Sequence, residues 1–327
     1  MISISQYISF FIFFYLLCVI AIFDVLDKNK NSDTILHQVR SITLDQQIVL
    51  TSPKRQTLSI PLGVVRLGNH LFKYASGYGI AKDRNSDFCV EQPPFRFQIF
   101  TGPFVGTCKS QPDKTIVEKK FGFCDNRFYK AYEEYSHIGI RRYFQCHNYF
   151  DKYKEDIRKI YEIKTIYYIK AKLYLESLIG KDNDAMLTCF HYRLGDMEVN
   201  NEGMTLPTKE YYLKVVNRVL NPKKEHYYKK HQFLIISDEP AKAYESLLYL
   251  EAFADTTVSH ANLETDFIMM AKFCDNIVFS RGTFAWWAAY LNKNVNAVYY
   301  RDEFANNYMT LDVNRNTYYL KQWINIK

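Results

Sequence analysis

Four times along this chain a short apolar run meets a tight polar turn and then apolar residues at helical spacing. Ile60, Leu62 and Val64 alternate as in a strand, "RLGN" follows, and Leu71, Tyr74, Ala75 and Tyr78 recur as on one helix face. "MLTCFHY" (Met186–Tyr192) runs into "RLGD"; after a loop, Tyr212, Val215, Val216 and Val219 form a helical stripe. "FLIIS" (Phe233–Ser237) passes through "DEP" into "AKAYESLLYLEAF", and "NIVFS" (Asn276–Ser280) through "RGT" into "FAWWAAYLN". A last strand is predicted at "VNAVYY". Such alternation predicts parallel α/β layers, with ligand sites outside the carboxyl ends of the strands. A helical stretch around Tyr153–Ile169 bridges two doubly wound lobes, residues 59–165 and 166–327.

Ahead of them, Ile2–Phe23 carries no charge, and at ~1.5 Å per residue it matches a ~30 Å hydrocarbon core. The span lacks the basic start and small-residue cleavage site of a signal peptide, so residues 1–23 read as a retained anchor. Lys28 and Lys30 follow the span, a pattern the positive-inside rule places in the cytoplasm. Residues 24–58 are polar, without sustained periodicity, and read as a stem.

Cysteine usage points to the other side of the membrane. Of seven cysteines, Cys18 lies in the span; the remaining even set suits disulfides in an oxidising lumen. Buried free thiols are the alternative, above all for Cys189 and Cys274 in apolar runs. With no C-x-x-C pair, a zinc or redox centre has little support. The net charge of +7 suits an anionic small molecule or a membrane surface, and its scattered Lys and Arg argue against nucleic acid.

Three stretches carry candidate chemistry. In "CFHYRLGDMEVNNEG" (Cys189–Gly203), His191, Arg193 and Asp196 cluster past a buried strand. There an arginine fork can grip a diphosphate, or an Arg–Asp pair can simply hold the strand end. Ser280, Gly282 and Thr283 precede the apolar helix of "FSRGTFAWWAAYL", where amides and hydroxyls suit phosphate oxygens, or where Thr283 merely caps. The tryptophans are core on either reading. Ser237 and Asp238 of "IISDEP" can meet a ribose or a base, or start the next helix.

"RLGNHLFKYASGYGIAK", "YFQCHNYFDKYKEDIRK", "FHYRLGD", "LIISDEP" and "DFIMMAKFCDNIVFSRGTFAWWAAYLN", in this order, resemble the α-1,2-fucosyltransferase family. That family carries a G-R-L-G-N-Q-x-F start and an H-x-R-R-G-D middle. The resemblance spans roughly Pro61–Leu291. It implies a GT-B fold of two Rossmann-like lobes and inverting transfer of L-fucose from GDP-fucose to the 2-hydroxyl of a terminal galactose, with no metal or other cofactor. It also implies a type II Golgi anchor with the body in the lumen, against the lysine pattern.

On matching positions, the resemblance implies that Arg193 contacts the diphosphate, with His191, Gly195 and Asp196 completing its motif. It likewise implies that Gly68 and Asn69 lie near the donor across the cleft. Ser237 and Asp238 match the S-D step, and Asp266 the acidic start of the helix before the last motif. Ser280, Thr283 and Phe284 fall in that last motif. The sequence departs from the family at Leu194, where a second arginine is expected, and at His70, where the family has glutamine. Arg281 is a possible replacement for the lost charge if it faces the cleft.

Leaving-group charge would be met by Arg193 and the Ser280–Thr283 amides and hydroxyls. The base for the acceptor hydroxyl is a carboxylate, Asp196 or Glu202, the latter freer to reach. Two rivals follow from particular residues. Asp182–Asp184 form a D-x-D that in another fold holds a metal, though here it precedes a strand; Leu194 leaves room for a membrane-anchored glycan binder or a degenerate transferase without turnover. A transferase with a different nucleotide sugar is the further alternative.

Overall fold

The computed structural model describes residues 55–327, apart from 93–96, 120–122, 131–133, 182–184, 196–206, 222–229, 280–281 and 302–314. The apolar span, nearly all of the stem, and Asp182–Asp184 therefore lie outside the described residues. Among the described residues no helix is long and apolar enough to cross a membrane.

Arg55–Lys327 form one compact unit containing two parallel sheets. The first takes β1 (Thr57–Ile60), β2 (Asp87–Val90), β3 (Lys114–Val117) and β4 (His137–Arg141) in the order β2-β1-β4-β3. Helix α1 (Leu67–Asp83) links β1 to β2, and α2 (Lys154–Ile160) and α3 (Thr165–Ile179) follow β4. The second sheet starts at β5 (Ala185–His191) and continues through α4 (Lys209–Leu220), β6 (Lys230–Ile236), α5 (Pro240–Leu247), β7 (Asp255–Val258) and α6 (Leu263–Lys272). Then come β8 (Asn276–Phe279), α7 (Thr283–Leu291), β9 (Ala297–Tyr300), α8 (Arg315–Tyr318) and β10 (Ile324–Asn325). Its order is β10-β9-β8-β5-β6-β7, every pair parallel.

In each sheet the first strand, β1 or β5, has neighbours added on both sides. The chain order therefore reverses there and opens a crevice at the carboxyl ends.

Two expectations about strand and helix limits fail. The first strand does not reach Val64. Thr57 and Leu58, read as stem, already pair with β2 and β4, while Pro61 has no N–H to extend the ladder. Gly63 then takes φ +65°, and Val64 is 94% exposed. The bridging helix at Tyr153–Ile169 is broken, because the chain between α2 and α3 extends to pair Ile163 with Phe100, and Lys164 N donates to Ile99 O at 2.9 Å.

Helix α1 packs on both halves. Toward the first sheet, Gly77 brings it against Phe88 and Ile60. Toward α7, Phe72 meets Trp286 and Trp287 at centroid distances of 4.5 and 5.1 Å, and Phe150 stacks on Trp287 at 5.3 Å. Both tryptophans are fully buried, and Trp286 Nε1 donates to Tyr318 O. One apolar cluster thus runs from Ile60 and Ile140 through these rings to Leu234 and Ile277. All six cysteines beyond the apolar span are paired, as Cys89–Cys108, Cys124–Cys146 and Cys189–Cys274. The free-thiol alternative fails for the last pair because β5 and the turn after α6 bring the two sulfurs together.

Candidate active site

The crevice holds a cavity of about 460 Å³, within the range usual for small-ligand sites. Three segments of the second sheet open into it: the end of β5 with His191 and Arg193, the end of β6 with Ser237 and Asp238, and the start of α7 with Thr283 and Phe284. Asp266 reaches it from α6, and Arg66, Leu67 and Gly68 close it from the start of α1.

Each wall has a local cause. At the β5 exit, Asp238 Oδ1 accepts from Leu194 N at 2.9 Å, and its other oxygen lies against Gly195, where a Cβ would collide. The turn after Arg193 is therefore held by Asp238, while Asp196, the expected pairing carboxylate at this strand end, lies outside the described residues. Ser237 Oγ accepts from Glu239 N at 3.0 Å and so organises the start of α5. Both side chains line the cavity, yet each already has a structural partner.

Arg193 lies beside the start of α7. A Cβ on Gly282 would be 3.7 Å from its Cδ and from a terminal guanidinium nitrogen. Gly282 has φ +86°, a conformation that favours glycine, and it is the residue that caps α7. Thr283 is consequently not the cap; its Oγ1 donates across to Asn69 Oδ1 at 3.3 Å. Gly68 is pressed on the same point, since a Cβ there would stand 2.5 Å from the Thr283 carbonyl carbon and 2.7 Å from its oxygen. The amino ends of α1 and α7 thus meet at one spot, and two helix dipoles present positive ends beside Arg66 and Arg193.

His191 is buried and stacks on Phe284 at 5.4 Å, 25° from parallel. Burial, with the Arg193 charge adding to it, pushes its pKa down to about 3, so the ring is neutral and offers one donor and one acceptor. Asp266 is also buried, and Ser259 Oγ donates to its Oδ1. Burial raises this carboxyl to about 7, against the opposing Ser259 bond. Phe267, the next residue, packs edge-on against Phe284 at 5.4 Å.

Both departures from the expected motifs have structural answers. Leu194 is buried with Phe190, Tyr192 and Tyr212, so position 194 faces the core and not the cavity. His70 is buried too, its Nε2 bonded to Gly63 O at 2.8 Å and its ring edge-on to Phe97. It secures the link that carries Arg66.

Of the expected site residues, Gly68, His191, Arg193, Ser237, Asp238, Asp266, Thr283 and Phe284 line the cavity, and Asn69 touches it through Thr283. Asp196, Glu202, Ser280 and Arg281 lie outside the described residues. Arg66 is an addition, and its signal was a fixed charge immediately before a helix start. Among the described residues, Cys89, Cys108 and His137 form the one cluster with metal-ligand proximity, and both sulfurs are committed to a disulfide.

Parallel strands that open at a switch point onto guanidinium groups and helix amino ends define an α/β protein with a positively polarised cavity. A family model described as glycosyl transferase family 11 matches residues 31–327, and the chain belongs to that family. The Caenorhabditis elegans protein C06E1.7, provisionally named a glycosyltransferase, is 27% identical over 338 residues, covering 88% of this chain and 87% of that protein. A galactoside 2-alpha-L-fucosyltransferase of the same organism is 26% identical over 168 residues, covering 49% and 44%. Among solved structures, the fucosyltransferase NodZ from Bradyrhizobium is 13% identical with a TM-score of 0.48, covering 75% of this chain and 94% of NodZ.

Proposed function

We propose that this chain transfers L-fucose from GDP-fucose to the 2-hydroxyl of a terminal galactose on a glycan, with inversion and without a metal. Its two sheets are the lobes of a GT-B enzyme, residues 59–165 on the acceptor side and 166–327 on the donor side. The observation that carries the reading is the convergence of Arg193, the α7 start and Gly68 on one cavity. Family membership and the fucosyltransferase among the relatives support the donor and the linkage.

In this reading the diphosphate lies between Arg193 and the first turn of α7. As the bond from the sugar to the diphosphate breaks, charge develops on the leaving oxygen. A fixed guanidinium and aligned amides stabilise that charge without reorganising. Asp266, as a carboxylate, accepts two N–H donors from the edge of a guanine, and neutral His191 supplies a further directional contact. The base that takes the galactose proton is Asp196 or Glu202. The apolar start of the chain anchors the enzyme in the Golgi membrane as a type II protein. Three disulfides in the body fit an oxidising lumen.

The test uses the full chain in detergent with a panel of GDP-sugars and galactosides, with and without chelator. Transfer from GDP-fucose to the galactose 2-hydroxyl, unchanged by EDTA, is expected. Donor breakdown that ignores the galactoside, or activity that chelator abolishes, overturns the reading.

A further inference from the structure

The loop after β4 departs from ordinary backbone geometry at two non-glycine residues, Arg142 at φ 108° and Phe144 at φ 55°. Such conformations persist only where surrounding contacts over-determine them, and they concentrate at working sites. Here the contacts are explicit. Phe144 N donates to Glu118 Oε2 at 3.1 Å, Ser76 Oγ donates to Phe144 O at 3.0 Å, and the next residue but one is tied by Cys124–Cys146. Between these anchors sits Gln145, buried, with Nε2 donating to Asn69 Oδ1 at 2.7 Å.

Asn69 Oδ1 therefore receives two donors, Gln145 from the first lobe and Thr283 from the second. An amide whose oxygen is held this way has only one orientation left. Its Nδ2 hydrogens remain, on a side chain held at the Thr283 end of α7. Among the described residues no group accepts from them, and Asn69 is only half-buried. The strained loop thus fixes the Asn69 side chain beside the start of α7, where Gly282 adjoins Arg193; a helix amino end and a guanidinium there favour negative charge.

We infer that Gln145 is a positioning residue for the reaction: it fixes the Asn69 amide so that Nδ2 donates to a diphosphate oxygen of the donor. This rests on the transferase reading above. Gln145 touches no substrate itself and acts through Asn69.

The experiment measures kcat and KM for GDP-fucose, and GDP affinity, on the full chain. The variants are Gln145→Met, Gln145→Glu, Asn69→Ala and the double Asn69→Ala/Gln145→Met. Methionine keeps the length and loses the donor. Glutamate can only accept, so it draws the Asn69 amide round and turns its oxygen toward the anion. One charge-assisted hydrogen bond corresponds to roughly a 10- to 100-fold effect. Q145M should lower kcat/KM for the donor by that factor, Q145E by more, and N69A by about as much as Q145M. The double variant should match N69A within about twofold, because residues acting through one contact are not additive. A purely structural Gln145 would lower the melting temperature alike in both backgrounds and add its loss of activity to that of N69A; that result overturns the inference. Arg193→Ala separates the two levels. If the parent binds GDP, R193A does not, and the Gln145 losses add, only the inference on Gln145 falls. If the parent binds no GDP, the transferase reading falls and takes this one with it.

Discussion

Arg193 and Asp266 bring opposite chemistry to one cavity, a guanidinium beside the start of α7 and a carboxyl kept from water. Removing an aligned donor to a developing charge typically costs ~10²–10³ in rate. R193A should therefore lose at least about a hundredfold in kcat/KM, and R193K should recover little of it, since lysine has no planar fork. Steady-state kinetics with GDP-fucose decides this; near-normal R193K turnover would mean the fork is not used. Asp266 predicts a pH dependence. With its carboxyl raised to about 7, it is ionised above that pH and protonated below it. GDP should bind more weakly as pH falls from about 8 to 6, and Asp266→Asn should flatten this dependence to that of the terminal phosphate, which titrates at about 6, while binding weakly throughout. Stability has the reverse sense: the folded pKa lies above the unfolded value, so this group favours folding fully at acid pH and loses that contribution as pH rises toward 7. Calorimetric titration of GDP across pH checks the binding limb. Thermal melts of parent and D266N from about pH 4 to 8 check the stability limb.

Among the elements, α1 and α7 set the geometry, and Gly68 is where they touch. Residue 68 lies inside a helix, so alanine there would by propensity alone stabilise by up to ~1 kcal/mol. Its Cβ would instead drive into the Thr283 backbone, which no side-chain rotation relieves. Gly68→Ala is expected to destabilise by about 1–3 kcal/mol and to displace the Thr283 and Asn69 groups, with loss of donor turnover. A rise in melting temperature with activity intact would show that the two helices part freely. These elements were legible in the sequence because each joins a long apolar run to a turn. β5, β6 and β8 were legible for the same reason, being buried on both faces. β3 and β7 escaped notice because they are short, charged or threonine-rich edges: "KTIV" buries only Ile116, and "DTTV" is nowhere fully buried. β4, "HIGIR", carries a glycine that breaks its apolar run, although four of its five residues are buried. In the site, those motif residues that are described converge on one cavity, but their partners did not declare themselves. Nothing in "IISDEP" says that Asp238 holds Leu194 N, and nothing near Gly-Asn points 76 residues ahead to Gln145.

For the whole molecule, the decisive constraint is the continuous core beneath two sheets, fastened by bridges at three separations. Trp286 and Trp287 join the halves, so the lobes share one hydrophobic cluster and are expected to melt as a unit. The bridges cross 19, 22 and 85 residues. In the chain-entropy view a loop of the longest span is worth roughly 4–5 kcal/mol, more than either short loop. Cys189–Cys274 ties β5, which leads directly to Arg193, to the turn before β8, which leads to the start of α7. It therefore braces the two strands that lead into the cavity. Reduction should lower the melting temperature and weaken GDP binding together, and the paired change Cys189→Ala/Cys274→Ala should reproduce most of both effects. Removing Cys89 and Cys108, which sit in the first lobe, should lower stability with GDP affinity kept. Thiol titration of the denatured, unreduced full chain gives the prior check. Seven cysteines with six in bridges leave one reactive thiol, Cys18. A count of three would mean that one bridge is open in the mature protein, and alkylation before proteolysis would show which.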